Sequence, residues 1–229
     1  MQNATGEGSR LRRIPQQSRS RDRVERILDT AAEQVVASGV DAVGTRAIAE
    51  AAGVPVASLY QYFADKDDIL LALIERDVDE MDAQVEKDLG ALDTLSIRSI
   101  VETTMSAFVT VYRKRPAFIM IWLRGRSNQA IREYCRQHNR RLANDLFVFG
   151  RAAGLLADAA TERFVDIAIE IGDRLFQLAY EDNLEGDPVV LEEASTVVCG
   201  YLDRYATALG RQGIPADSDA PPMTLDRGR

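Results

Sequence analysis

Apolar residues recur every three to four positions through most of the chain, the spacing that places them on one face of a helix. Val24, Ile27, Leu28, Ala31, Val35 and Val36 predict a first amphipathic helix that ends at Ser38-Gly39. Ile48, Ala49 and Ala52 predict a shorter second helix over TRAIAEAA, with Thr45 as its cap and Gly53 as its stop. Pro55 suits the first turn of a third helix, because its missing N–H would find no partner there in any case. That third helix runs only to about Phe63, and Asp65 then caps a long fourth helix carrying Ile69, Leu70, Leu73, Val78, Met81 and Val85. After a break at 90–96, helical patterns cover about 97–114, 116–124, 128–153, 161–183 and 188–209, the last two parted by Gly186-Asp187-Pro188. No alternation long enough for a sheet appears, and no internal repeat, so the expected fold class is all-α.

The short third helix has an unusual distribution of side chains. At about 100° per residue, Val56, Leu59 and Phe63 fall on one edge, within about 60° of one another. Ala57, Ser58 and Gln61 occupy the opposite side, with Tyr60 and Tyr62 on the flanks. A small, polar outward face lets a backbone approach base edges. Gln61 can bond adenine through two hydrogen bonds, the Ser58 hydroxyl can donate or accept, and flanking tyrosines can reach phosphates. With the Ala-rich helix and Gly-Val-Pro turn before it, residues 55–63 read as the recognition helix of a helix-turn-helix, expected to enter a DNA groove. A small hairpin of packed helices with an incidentally polar surface is the plainer alternative.

Residues 45–70, TRAIAEAAGVPVASLYQYFADKDDIL, resemble the signature of TetR-family transcriptional regulators: a Thr opening the second helix, I-A-x-x-A-G-V, then L-Y-x-Y-F-x-x-K and an acidic, Leu-rich start to the fourth. With the preceding helix the resemblance covers about residues 20–70. It implies a three-helix DNA-binding domain followed by a helical bundle for dimerisation and ligand binding. Its DNA contacts carry over to Thr45, Arg46, Val56, Ala57, Ser58, Tyr60, Gln61, Tyr62 and Lys66. Two positions depart from the commonest pattern, Pro55 where a polar cap is usual and Ala57 where Gly is frequent; direct readout then rests mostly on Arg46, Ser58 and Gln61. The implied domains are a flexible basic arm at 1–20, the helix-turn-helix domain at 21–66, the ligand-binding and dimerisation domain at 67–210, and a disordered tail at 211–229.

Charge first argues against this reading and then locates it. The 229-residue chain carries a net charge of −8, which taken whole is unfavourable for a nucleic-acid partner. Up to Lys66, however, nine basic residues balance eight acidic ones, whereas 67–112 holds three against eleven. The first 20 residues add Arg10, Arg12, Arg13 and Arg19, followed by Arg21: either an arm that tracks a minor groove or a solubilising leader. Residues 113–141 hold nine basic residues against one acidic. Arg132, Arg136 and Arg140 repeat every four residues there, after Arg124 and Arg126. They form either a stripe paired with the acidic fourth helix or a site for an anionic effector.

In the C-terminal part, apolar positions on the last two long helices exceed what one neighbour needs. Phe164, Ile167, Ile171, Leu175, Val190, Ala194, Val197 and Tyr201 are the expected interface of a homodimer, which the resembled family builds from this helix pair. A dimer sets two recognition helices about one DNA turn apart and implies a palindromic operator. Met105, Phe108, Tyr112, Phe118, Trp122, Tyr134 and Phe147 are candidates to line a pocket for a lipophilic or anionic effector, or are simply core. His138 sits on an apolar stripe with Cys135, and two ligands do not make a metal site. Two cysteines are too few for a disulfide framework, and neither a membrane span nor a signal peptide is present, so a soluble, cytoplasmic protein is expected. No cofactor motif, nucleophile elbow or paired-His motif appears, so no cofactor and no enzymatic activity are expected. The reading is a DNA-binding regulator, most simply a repressor released by an effector; the alternative is a small-molecule-binding bundle without a DNA role.

Overall fold

The computed structural model describes residues 18–124, 128–216 and 223–226. The described chain is helical: α1 (Ser18–Ser38), α2 (Thr45–Ala51), α3 (Val56–Leu59), α4 (Lys66–Leu89), α5 (Ile97–Lys114), α6 (Pro116–Phe118), α7 (Gln129–Ala152), α8 (Glu162–Ala179), α9 (Pro188–Leu202) and α10 (Ala208–Gln212). A π-helical stretch, Ile119–Arg124, continues α6, and Asp203–Tyr205 forms a 3₁₀ turn after α9. Two short strands, β1 (Thr94–Leu95) and β2 (Ile214–Pro215), pair antiparallel, a feature too brief to leave an alternating pattern. Of the expected basic arm, Arg10, Arg12 and Arg13 lie outside the described residues, while Arg19 and Arg21 are exposed in the first turn of α1. Arg126 also lies outside them.

The chain divides into two compact units. The first holds residues up to Val78 together with Pro116–Ile131, and the second holds Asp79–Arg115 and Arg132–Asp226. The first therefore extends past Lys66, the expected end of the helix-turn-helix domain, and takes in a segment from much later in the chain. Its core joins Ile27, Leu28, Ala31 and Val35 of α1 to Ile48, Leu59, Phe63 and the block Ile69–Ile74 of α4. Every residue of that block is buried, so here α4 is covered all round rather than along one stripe. Phe118 and Trp122 close the same unit, rings 5.3 Å apart and edge to face. Val36, expected on the buried stripe of α1, is exposed. Arg76 reaches from α4 to Asp29 (2.8 Å) and Glu25 (3.1 Å) of α1. Burial opposes its charge, but the hydrogen bond to Asp29, the nearby Asp77 and the bond to Glu25 outweigh this and raise its pKa.

The second unit is built on the antiparallel pair α8–α9 with α5 against it. Local sequence fixes its helix starts. Ser96 and Ser99 form a reciprocal capping box on α5, each bond 2.9 Å. Asp187 caps α9 through the Val189 amide at 2.8 Å, with Pro188 in the first turn. Among the described residues of the 211–229 segment, expected to be disordered, Arg211 and Gln212 close α10, Ile214 and Pro215 pair with β1, and Leu225 is buried. Arg115 meets Glu80 at 2.7 Å, so the basic stretch does pair with the acidic one there, whereas exposed Arg136 pairs with Glu133 of its own helix at 3.0 Å. His138 is buried and its Nε2 lies 2.9 Å from Asp82 Oδ1. No group of three metal-ligating side chains occurs among the described residues, and no described helix is long and apolar enough to cross a membrane.

Candidate nucleic-acid interface

The α2–turn–α3 unit is defined by backbone hydrogen bonds that its sequence dictates. The Gly53 amide bonds Glu50 O (3.1 Å) and the Val54 amide bonds Ala49 O (2.9 Å), the pattern of a helix closed by a left-handed residue. Gly53 takes that position at φ 63°, and Val54 buries its side chain. Pro55 precedes α3 as its cap rather than lying inside it, and its carbonyl accepts from the Ser58 amide (2.8 Å) and the Leu59 amide (3.2 Å). α3 is a single turn, shorter than expected, and Tyr60–Tyr62 continue it as a turn, not as helix.

Both faces of the unit can now be assigned. Ile48, Ala49, Leu59 and Phe63 are inward; Arg46, Ala57, Tyr60 and Gln61 are exposed; Thr45, Val56, Ser58 and Lys66 are half-buried. The outward side is thus small and polar, as the wheel requires, except at Tyr62. Its ring is only 4 % exposed, and its hydroxyl lies 2.7 Å from Ser20 Oγ of α1. The wheel placed it on a flank because it assumed helix through Phe63; a turn at 60–62 rotates the side chain into the core. Tyr60 remains 43 % exposed, with its hydroxyl 3.0 Å from Thr45 Oγ1. Thr45 therefore does not cap α2, whose cap is Gly44 without a side-chain bond; its hydroxyl instead links α2 to the end of α3. Lys66 Nζ donates to Val40 O at 3.4 Å, and Asp65 caps α4 through the Asp68 amide at 3.0 Å. Ser20 is the residue that sequence reasoning missed, since nothing in its spacing signals a partner 42 positions away.

The remaining candidate sites are distributed over both units. Phe118 and Trp122 belong to the buried core of the first. In the second, Phe108 and Tyr112 join Phe176 and Tyr180 in one aromatic cluster, with Tyr112 and Tyr180 5.3 Å apart. Met105 lines a cleft of about 280 Å³ between α5, α8 and α9, with apolar Val109, Phe176 and Leu191 and the carboxylates Glu102 and Glu192. Tyr134 and Phe147 are half-buried on α7. Of the expected dimer residues, Phe164, Ile167, Ile171, Leu175, Val190 and Tyr201 are half-buried and Val197 is exposed. Ala194 is fully buried within its own unit and cannot meet a partner. Val189 of α9 and Leu178 of α8 are exposed as well.

A helix-turn-helix whose inner face is core and whose outer face is small and polar defines a DNA-binding class of domain. Residues 27–73 match the protein-family model described as bacterial regulatory proteins, tetR family. The HTH-type transcriptional repressor KstR of Mycolicibacterium smegmatis is 37% identical over 67 residues, covering 29% of this chain and 33% of that protein. KstR of Mycobacterium tuberculosis is 36% identical over 71 residues, 31% of this chain and 32% of that one. The chain thus aligns with about a third of the length of the curated relatives it matches. Over most of its length it is similar to the crystal structure of a TetR-family transcriptional regulator from Streptomyces coelicolor, with TM-score 0.65, 28% identity, and coverage of 80% of this chain and 99% of that one. The tetR-family match thus falls on residues 27–73, the segment that carries the helix-turn-helix, and the likeness to the Streptomyces coelicolor regulator extends over most of the chain.

Proposed function

We propose that the protein is a sequence-specific DNA-binding transcriptional regulator, acting in the cytoplasm as a homodimeric repressor that a small-molecule effector releases from a palindromic operator. The observation that carries this reading is the outward face of α2–α3: Arg46, Ala57 and Gln61 are exposed and Ser58 half-buried, beside a core that takes Ile48, Ala49, Leu59 and Phe63. Arg46 and Gln61 supply the donors and acceptors that read base edges, Ala57 permits close approach, and Tyr60, Thr45 and Lys66 lie where phosphates would pass. Tyr62 holds this face from beneath through Ser20. The half-buried apolar stripe of α8 and α9, with Val197, Val189 and Leu178 exposed, supports a dimer through that pair. The KstR proteins, repressors by name, support repression as the mode of action.

For the effector, the cleft beside Met105 favours a lipophilic molecule over an anion, because its lining is largely apolar and carries Glu192 together with Glu102, the latter paired with Arg98 at 3.1 Å. The arginine stripe of α7 is less suited to an anion than its spacing suggested, since Arg136 already pairs with Glu133. In vitro selection of bound DNA fragments tests the proposal, repeated with neutral, cationic and anionic lipophilic compounds. Recovery of an inverted-repeat sequence, lost on adding a compound that also raises the thermal midpoint, is the expected result. A folded protein that selects no sequence at low salt would instead indicate the small-molecule-binding bundle without a DNA role.

A further inference from the structure

Beyond α10, residues 223–226 lie against the second unit. Met223, Thr224, Leu225 and Asp226 alternate half-buried, exposed, buried and exposed, the period-two pattern of a segment lying along a surface with one side down. Leu225 enters the apolar cluster that contains Val85 and Leu89 of α4 and Phe149 of α7, and Met223 packs against the same cluster. The two following contacts are polar and come from opposite helices: the Leu225 amide donates to Glu86 Oε1 of α4 at 2.8 Å, and the Asp226 amide donates to Asp145 Oδ2 of α7 at 2.7 Å. Successive amides of a non-helical chain diverge, so the segment runs along the seam between α4 and α7 with one carboxylate on either side of it. Both bonds join a backbone N–H to an ionisable carboxylate, the stronger kind of hydrogen bond when that carboxylate is charged.

We propose that the α4–α7 seam of the second unit is a binding site for a short extended peptide, and that its occupant is this chain's own residues 223–226. Recognition requires an apolar side chain at alternate positions and two consecutive free amides, which Met223, Leu225 and Asp226 supply. The seat is independent of the DNA-binding reading, and its occupant ties Glu86 of α4 to Asp145 of α7 through its own backbone. Displacing it frees that tie, so any partner presenting an equivalent extended segment competes for the seat.

Hydrogen exchange resolved at the Leu225 and Asp226 amides of the full chain is the direct test. Both should exchange at least ten-fold more slowly than in a free peptide of residues 221–229, at a protection independent of protein concentration. In full-length Leu225→Asp both amides should lose that protection, and the added peptide should bind this variant but not the unaltered protein. Asp226→Pro, which deletes one donor and leaves the apolar anchor, serves as a second variant and should lose protection at Leu225 in the same way. Exchange at the free-peptide rate in the unaltered chain would overturn the proposal. So would protection lost on dilution, which would give the seat to another copy's tail, or peptide binding equally tight to variant and unaltered protein.

Discussion

Tyr62 and Gln61 are neighbours that face opposite ways, and substitutions at the two should separate stability from recognition. Tyr62→Phe keeps the buried ring and removes only the 2.7 Å bond to Ser20, which should lower unfolding free energy by about 1 kcal/mol. Ser20→Ala should cost a similar amount, and the double variant little more than either, because both delete one shared bond. Denaturant titrations of the four proteins measure this, and simple additivity would disprove the coupling. Gln61→Ala should leave stability within about 0.5 kcal/mol, since the side chain is exposed. Operator binding should weaken by about 1–3 kcal/mol, mainly at one base position. Titrations against single-base operator variants check this; an equal loss on every sequence would make Gln61 a backbone contact.

The elements depend on a few backbone positions more than on helix propensity. Gly53 holds φ 63° with open space around it, so Gly53→Ala should destabilise through conformation alone, by about 1–2 kcal/mol. Gly210 differs: an added Cβ would collide with the Leu155 carbonyl oxygen, the same oxygen that accepts from the Thr207 amide at 2.9 Å. Gly210→Ala should cost about 1–3 kcal/mol and loosen the docking of α10, read as faster amide exchange at Thr207 and Gly210. The cap at Asp65, bonded by the Asp68 amide at 3.0 Å, is visible in sequence because a cap is a local code. The truncation of α3 at Leu59 is not, because the residues after it satisfy helix periodicity equally well and only the burial of Tyr62 selects the turn.

For the protein as a whole, burial makes stability depend on alkaline pH. Burial raises the pKa of the Cys199 thiol and of the Tyr180 hydroxyl, so the folded state retains both protons longer than the unfolded chain. Their stabilisation is complete below the ordinary values of about 8.5 and 10, and is lost above them at about 1.4 kcal/mol per pH unit per group. Unfolding free energy measured from pH 8 to 11 should therefore fall, and Cys199→Ala should flatten the early part of that decline. Assembly is the other property at this scale. Val197→Asp with Val189→Asp should convert a dimer into a folded monomer, because both side chains are exposed within the single chain and a charge there opposes only association. Sedimentation velocity gives the answer; a variant that remains dimeric would move the interface elsewhere.

What the amino-acid order determined by itself was local: the helical periods, the cap at Asp65, the glycine stop at Gly53, and the small polar face of Ala57, Ser58 and Gln61. These follow from contacts within a turn or two of helix, where spacing and chemistry are enough. What the tertiary structure alone decided was every pairing between distant segments. It put Tyr62 against Ser20, took Phe118 and Trp122 into the first unit's core, turned Ala194 inward, and laid Leu225 between α4 and α7. Those outcomes depend on which apolar surface is nearest in space, and a helical period records that a face is buried without recording what buries it.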